Sequence, residues 1–474
     1  MTKITRFAPS PTGNLHIGGV RTALFNYVYA KQNNGKFLIR IEDTDAERST
    51  REFEENIING LKVLNIVSDE TPIRQSERFN EYQEKTNEII NSGKAYYCEC
   101  SKDRLDEMRS LQQQQGLKPQ YDGKCRDLNL DKSENTVLRL KTPQEGELIF
   151  NDLIRGEVIF QNNELDDLIL VRSDGSPTYH LCCVIDDRLQ DITTVIRGED
   201  HLSNTARQIH IQEAFGYPRL EYAHLPLVLG QNKKRLSKRD SVSSVHDYFD
   251  QGYLPTSIIN MLARLGWSGG DKEIFSIDDL IKDFRIQEVQ KGGAIFDPAK
   301  LDWINTNHLA ALNFDKFKLK ILPFLEKFKI DITSKNNSDD ILQAMRTSQS
   351  TLFGIASDLR PYFHSIDSYD EKAVKKFLLN SKATLEYVQR KLQAIETWDE
   401  ASIDGVLSAS QLALDLPIPK LNQPIRIAIT GSTKSPSLGL TLSLFEKDEV
   451  IKRILAALKY LSENSWLIVL ASII

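Results

Sequence analysis

Cysteine is scarce in this 474-residue chain, which carries five, an odd number. That is too few for a disulfide framework at this length, and in a reducing compartment such residues are read as free thiols or metal ligands. Long apolar runs are missing as well. No stretch approaches the roughly eighteen apolar residues of a membrane span, and the opening MTKITRFAPS has none of the apolar core of a signal peptide. The expectation is a cytoplasmic chain with no membrane attachment. Basic charge is not in excess either: 60 Lys and Arg against 66 Asp and Glu leave a net charge of −6. Bulk attraction to a polyanion is therefore excluded, and any anionic partner must be held by local patches. Neither G-x-G-x-x-G nor G-x-x-x-x-G-K-[ST] occurs, so the two familiar glycine loops for nucleotide phosphates are absent. What is present, 40% hydrophobic and 27% charged residues, describes a soluble globular protein long enough for two to four domains.

The stretch PSPTGNLHIGG, residues 9–19, lies between a short β-like run, Ile4 to Phe7, and a helical pattern carried by Val20, Ala23, Leu24, Tyr27, Val28 and Ala30. Pro9 and Pro11 stiffen the loop, while Gly13, Gly18 and Gly19 allow a ligand to approach the backbone. The glycines fall near a helix N-terminus, where free amides and the dipole favour an anion. His16 stands one step before that helix and can donate a hydrogen bond to a phosphate; a structural turn with a surface histidine is the plainer alternative. A second stretch, QNKKRLSKRD at 231–240, crowds Lys233, Lys234, Arg235, Lys238 and Arg239 around Leu236 and Ser237, directly after the strand-like EYAHLPLVL. Charge runs are usually solvated surface. Here the run follows a strand at the edge where open α/β sheets place their ligands.

Together these two stretches resemble the His-Ile-Gly-His and Lys-Met-Ser-Lys-Ser signatures of class I aminoacyl-tRNA synthetases. TRFAPSPTG, IRIEDTDAERS, GSPTYHLCCVIDD, VIRGEDHLSNTARQ and GYLPTSIINMLARLGWS narrow the resemblance to bacterial glutamyl-tRNA synthetases over nearly the whole chain. Gly19 stands where the last histidine of the first signature would be, and Arg235 replaces the first lysine of the second. The resemblance implies ATP-dependent activation of L-glutamate to glutamyl-adenylate, then transfer to tRNA(Glu). It implies His16 and Lys238 as the catalytic pair, with Gly18, Gly19, Arg235 and Ser237 also at ATP, and magnesium held mainly by phosphate oxygens and water. For glutamate it implies Arg6, Ala8, Ser10, Glu42, Tyr179 and Arg197, the arginines suiting a carboxylate and Glu42 the α-amino group. Asp43 and Asp45 are read as helix caps instead. Some members of the family also charge tRNA(Gln), a choice that depends on local anticodon contacts. A monomer is expected.

Cys98, Cys100 and Cys125 lie where members of the family often carry a zinc ribbon. The residue two beyond the third cysteine, histidine in some relatives, is Asp127 here, with Tyr121 and Cys182 as other candidates for a fourth ligand. Cys182 and Cys183, in an apolar run, are most simply core thiols. The implied fold is α/β: a Rossmann-like catalytic domain in two halves, 1–80 and 180–240, an inserted acceptor-binding domain at 81–179, a stem-contact domain at 241–311 and an all-helical anticodon-binding region at 312–474. QQQQ at 112–115 is read as part of a solvated helix. The apolar tail SWLIVLASII, 465–474, is read as a last strand or helix tucked against the helical region.

Overall fold

In the computed structural model, which describes residues 2–45, 47–234, 236 and 244–464, the run Ile4–Phe7 is strand β1 and the glycine-bearing loop leads into helix α1, Ile17–Gln32. The chain forms two units, Met1–Tyr248 with Pro255–Leu301, and Phe249–Leu254 with Asp302–Ile474. In the first unit there follow β2 (Lys36–Ile41), α2 (Arg51–Val63), β3 (Ile73–Arg74), α3 (Phe79–Asn91), β4 (Ala95–Cys98), α4 (Lys102–Gln114), β5 (Val137–Leu140), β6 (Glu147–Asp152), β7 (Gly156–Gln161) and β8 (Ile169–Val171). Next come α5 (Tyr179–Leu189), β9 (Thr194–Gly198), α6 (Leu202–Ala214), β10 (Glu221–Leu225), β11 (Val228–Leu229), α7 (Val245–Asp250), α8 (Pro255–Arg264), α9 (Ile277–Asp283), β12 (Ala294–Ile295) and α10 (Pro298–Ala311), of which α7 and α10 have residues in both units.

Strands β1, β2 and β3 pair in parallel, as do β9, β10 and β6, with β7 antiparallel on β6. The two sets meet where the Thr193 N–H donates to the Ile4 carbonyl at 2.9 Å. The order is therefore β3-β2-β1-β9-β10-β6-β7. From β1 the chain winds outward to β2, and from β9 it winds the other way to β10; a crevice opens beyond the strand ends at such a reversal. Strand β2, KFLIRI, is buried from Phe37 to Ile41, as a parallel strand covered on both faces must be. Helix α1 is buried nearly all round, and its Asn26 ties it to the sheet, accepting from Thr5 Oγ1 and donating to the Ile196 carbonyl, both at 2.9 Å.

Residues 81–179 hold two distinct parts. Strands β4, β5 and β8 make their own antiparallel sheet, whereas the β6–β7 hairpin joins the parallel sheet, with Asp152 opposite Tyr222 of β10. Tyr82 and Ile89 of α3 share a core with Leu181, Cys182 and Ile185 of α5, and Cys182 and Cys183 are buried thiols. Helix α4, which takes in most of QQQQ, buries no residue. Between α8 and α9 the glycine-rich turn needs Gly269: it sits at φ +61°, and a Cβ there would lie 2.5 Å from the Phe275 ring.

The second unit is helical throughout its described residues. Helices α11 (Phe314–Lys327), α12 (Ser338–Met345), α13 (Leu352–Phe363), α14 (Glu371–Ala373), α15 (Lys382–Gln393), α16 (Glu400–Leu414), α17 (Ile418–Thr430), α18 (Leu438–Ser443) and α19 (Lys447–Glu463) enclose one core that includes Phe317, Leu359, Leu385, Ile425 and Ile454. The helical pattern over YDEKAVKKFLLNSKATLEYVQRKLQAIE is interrupted: α14 runs into a π-helical turn, Val374–Leu378, and Ser381 then closes a turn by donating to the Leu378 carbonyl at 2.7 Å. The tail 465–474 lies outside the described residues.

Candidate active site

A cavity of about 410 Å³ opens at the crevice between the ends of β1 and β9. Arg6 and Ala8 come from the end of β1, His16, Gly18 and Gly19 from the start of α1, Glu42 from the end of β2, Tyr179 from the start of α5 and Arg197 from β9; all eight line it. Ser10 does not: it is exposed on the loop, its carbonyl accepting from Thr12 N–H at 2.9 Å. Arg235, Ser237 and Lys238 lie outside the described residues. Leu236, between them, lines the cavity and is held by its N–H to the Val228 carbonyl at 3.0 Å.

His16 caps α1. Its Nδ1 accepts from the Gly19 N–H at 3.2 Å, so in the neutral ring the proton sits on Nε2, and the ring lines the cavity. A Cβ at Gly18 would lie 3.2 Å from the His16 ring, whereas at Gly19 it would meet only ordinary contacts. Glycine at 18 thus leaves room for the imidazole.

Below the cavity lies a buried charge cluster. Arg6 Nε donates to Asp187 Oδ1 at 3.0 Å, and Arg40 Nη1 donates to the same oxygen at 2.7 Å. Arg40 Nη2 also reaches Glu42 Oε1 at 3.1 Å. Burial opposes the charge on Asp187, yet the two guanidiniums hold its carboxyl below the ordinary aspartate range. For Glu42 burial prevails over Arg40 and Arg6, and its carboxyl is raised. Cys183, 3.5 Å from Arg40 Nη2, is pushed up to about 12 by burial and by Asp187. Asp186, whose Oδ2 lies 3.9 Å from Arg40 Nε, accepts from Gln75, Arg78 and Tyr82 at 2.8–2.9 Å. Arg40, Asp186 and Asp187 were not among the residues expected from sequence. The signal for Arg40 is its place: a lone arginine in an otherwise apolar buried strand needs a carboxylate partner.

Arg197 contrasts with Arg6. It donates to His224 Nε2 at 3.3 Å, Gln208 Oε1 at 2.8 Å and Thr205 Oγ1 at 2.7 Å, and among the described residues no carboxylate pairs with it. Three of its five N–H donors are thus committed to neutral groups, which leaves two and a full positive charge for a ligand. Tyr179 OH lies 3.4 Å from His201 Nδ1.

The chain is similar throughout to proteins of one kind. Residues 3–303 match the family described as tRNA synthetases class I (E and Q), catalytic domain, and residues 316–458 match an anticodon binding domain. The glutamate–tRNA ligase 2 of Halorhodospira halophila is 42% identical over 470 residues, covering 98% of this chain and all of that one. The chain belongs to the class I glutamate–tRNA ligase family. Another family member, the glutamate–tRNA ligase of Francisella philomiragia, is 44% identical over 470 residues, 97% of this chain and 99% of its own. The crystal structure of a glutamate tRNA ligase from Elizabethkingia meningosepticum in complex with its amino acid matches with a TM-score of 0.83 at 33% identity, covering 97% of this chain and 100% of that one.

Apart from this cavity, the glutamate–tRNA ligase fold here gathers three thiols. The sulfurs of Cys98, Cys100 and Cys125 lie within 4.8 Å of one another. Asp127 is exposed and not part of the group. The Tyr121 hydroxyl stands there instead, 3.3 Å from Cys98 Sγ and 3.7 Å from Cys100 Sγ, accepting from the Cys125 N–H at 2.9 Å. Arg139, stacked 3.9 Å over the Tyr121 ring, fixes the phenol. Cys182 is buried in the α3–α5 core.

Proposed function

We propose that this chain attaches L-glutamate to tRNA(Glu) at the expense of ATP, through glutamyl-adenylate, releasing diphosphate and then AMP. The observation that carries the reading is the pairing, in one cavity, of a buried arginine that no carboxylate partners among the described residues and a helix N-terminus capped by a histidine. Arg197, with Arg6 beside it, binds the substrate's side-chain carboxylate, and Glu42 attracts its ammonium group. The α-carboxylate then attacks the α-phosphorus of ATP. His16, the amides of α1 at Gly18 and Gly19, and Lys238 with Arg235 and Ser237 stabilise the charge that builds on the phosphates. Ala8 and Tyr179 complete the wall. Magnesium bound to the triphosphate neutralises part of that charge. A terminal ribose hydroxyl of the tRNA next attacks the acyl carbon, and AMP leaves.

The helical second unit, matched to an anticodon binding domain over 316–458, reads the anticodon; the segment 81–179, with its own β4-β5-β8 sheet, receives the acceptor end, and 241–311 contacts the stem. Cys98, Cys100, Cys125 and the Tyr121 oxygen hold one structural Zn²⁺, a donor set of sulfur and oxygen that suits that ion. A cytoplasmic monomer is part of the same proposal; among the described residues no helix is long and apolar enough to cross a membrane. Charging assays with radiolabelled glutamate, ATP and magnesium, run separately on tRNA(Glu) and tRNA(Gln), test the reading: label on tRNA(Glu) supports it, label on both extends it to tRNA(Gln), and label on neither refutes it.

A further inference from the structure

The orientation of Arg197 is set from behind the cavity. His224 of β10 lies in register beside Arg197 of β9 and is wholly buried. Its Nε2 faces Arg197 Nε at 3.3 Å and Thr205 Oγ1 at 3.0 Å, and its Nδ1 lies 2.6 Å from Asp152 Oδ2 at the end of β6. The other carboxylate oxygen of Asp152 is claimed by three backbone donors, the N–H groups of Ile154, Arg155 and His224, at 3.0, 2.9 and 3.3 Å. An ionised carboxylate only accepts, so the imidazole proton sits on Nδ1 and Nε2 presents a lone pair to the Arg197 Nε–H. Burial favours the uncharged ring that this arrangement needs, in spite of Asp152.

We infer that the buried Asp152–His224 pair is a positioning device for glutamate recognition: it fixes the imidazole tautomer that gives Arg197 an acceptor at Nε and so aims the rest of its guanidinium at the substrate carboxylate. Thr205 and Gln208 complete the cradle. Thr205 can act either way round, since its hydroxyl can also reach the His201 carbonyl at 3.4 Å, but an arginine N–H can only donate. The tautomer is therefore the sensitive element. This inference rests on Arg197 binding the substrate, as proposed above.

Asp152→Asn tests it with almost no change in shape. The three backbone donors require oxygen at their position, so the new amide nitrogen faces His224 Nδ1, which must then accept. The proton moves to Nε2, and the Arg197 Nε–H meets a donor instead of an acceptor. Losing one such hydrogen bond to a charged group raises the glutamate KM in tRNA(Glu) charging about tenfold, with kcat and the ATP KM unchanged within about a factor of two. In ¹⁵N-histidine spectra, with the signals assigned by their loss in His224→Gln, His224 is the Nδ1–H tautomer in the native chain and Nε2–H in the variant. His224→Phe also raises the glutamate KM, and His224→Gln, which restores an acceptor oxygen, recovers part of it. An Nε2–H tautomer in the native chain overturns the inference even if Asp152→Asn does not fold. So does an unchanged glutamate KM in Asp152→Asn when Arg197→Ala raises it. An unchanged KM in Arg197→Ala itself overturns the assignment of Arg197, and the positioning role falls with it.

Discussion

Arg40 is fully buried, yet it carries a charge: its N–H groups donate to Asp187, Glu42 and Gln190 at 2.7, 3.1 and 3.1 Å and to the Cys183 sulfur at 3.5 Å, and Asp186 lies 3.9 Å from its Nε. Removing one member of a buried ion pair leaves the other charge without compensation, so Arg40→Ala lowers the stability by about 3–5 kcal/mol, measurable by urea denaturation. His180 offers a second test at this scale. Burial, and after it the positive charge of Arg207, pulls its pKa from 6.5 down to about 4. As the pH falls below 6.5 the unfolded chain takes up this proton and the folded chain does not, so stability declines from pH 6.5 to about 4 and levels off below. His180→Gln flattens that part of the stability–pH curve. The sequence made the proposed substrate arginines, Arg6 and Arg197, legible because they sit in recognisable motifs. It did not make Arg40, Asp187 or the Asp152–His224 pair legible, because their partners come together only across the sheet, 147 residues apart for Arg40 and Asp187.

Helix α1 and the loop before it were readable because their period and breakers are local: apolar residues at helical spacing, with proline and glycine ahead of them; the His16 cap emerged only in the structure. The cap and the proposed phosphate donor are the same side chain, and substitution can separate them. His16→Ala removes the cap, at a cost of about 1 kcal/mol, while His16→Asn keeps it. Both variants depress tRNA(Glu) charging with little change in tRNA affinity, but only His16→Ala lowers the melting temperature. The β6–β7 hairpin shows where local reading stops. Alternation marks β6 as a strand, buried at Leu148, Phe150 and Asp152, but nothing in its sequence says that its partner is β10, some seventy residues on, and not its neighbours β5 and β8. The same limit applies to the fourth donor at the thiol cluster. The resemblance put Asp127 first, with Tyr121 and Cys182 as other candidates; the fold sets the Tyr121 hydroxyl beside the thiols, fixed by the Cys125 N–H and with its ring under Arg139. Metal analysis of the purified chain is expected to find about one zinc per chain, a content that Tyr121→Phe lowers and Asp127→Ala leaves unchanged; less than about a tenth of a metal would refute the site.

At the scale of the molecule, a reversal of strand order in the first unit opens one cavity at the end of β9 and the start of α1, the proposed places of the substrate carboxylate and of the phosphates, while the second unit supplies the helices matched to an anticodon binding domain. The division into a sheet-based part and a helical part follows from the change of period along the chain, and so it was visible in sequence. The reversal point was visible only through the motifs that flank it. The central claim is that Arg197 and Arg6 select a substrate with a second carboxylate. It is tested most directly by charging tRNA(Glu) with glutamate and with glutamine in parallel, each over a range of concentrations. A site built around a desolvated arginine rejects the neutral amide by about 10⁴-fold in kcat/KM, because glutamine offers that charge no counterpart. Comparable charging with both amino acids would contradict the account.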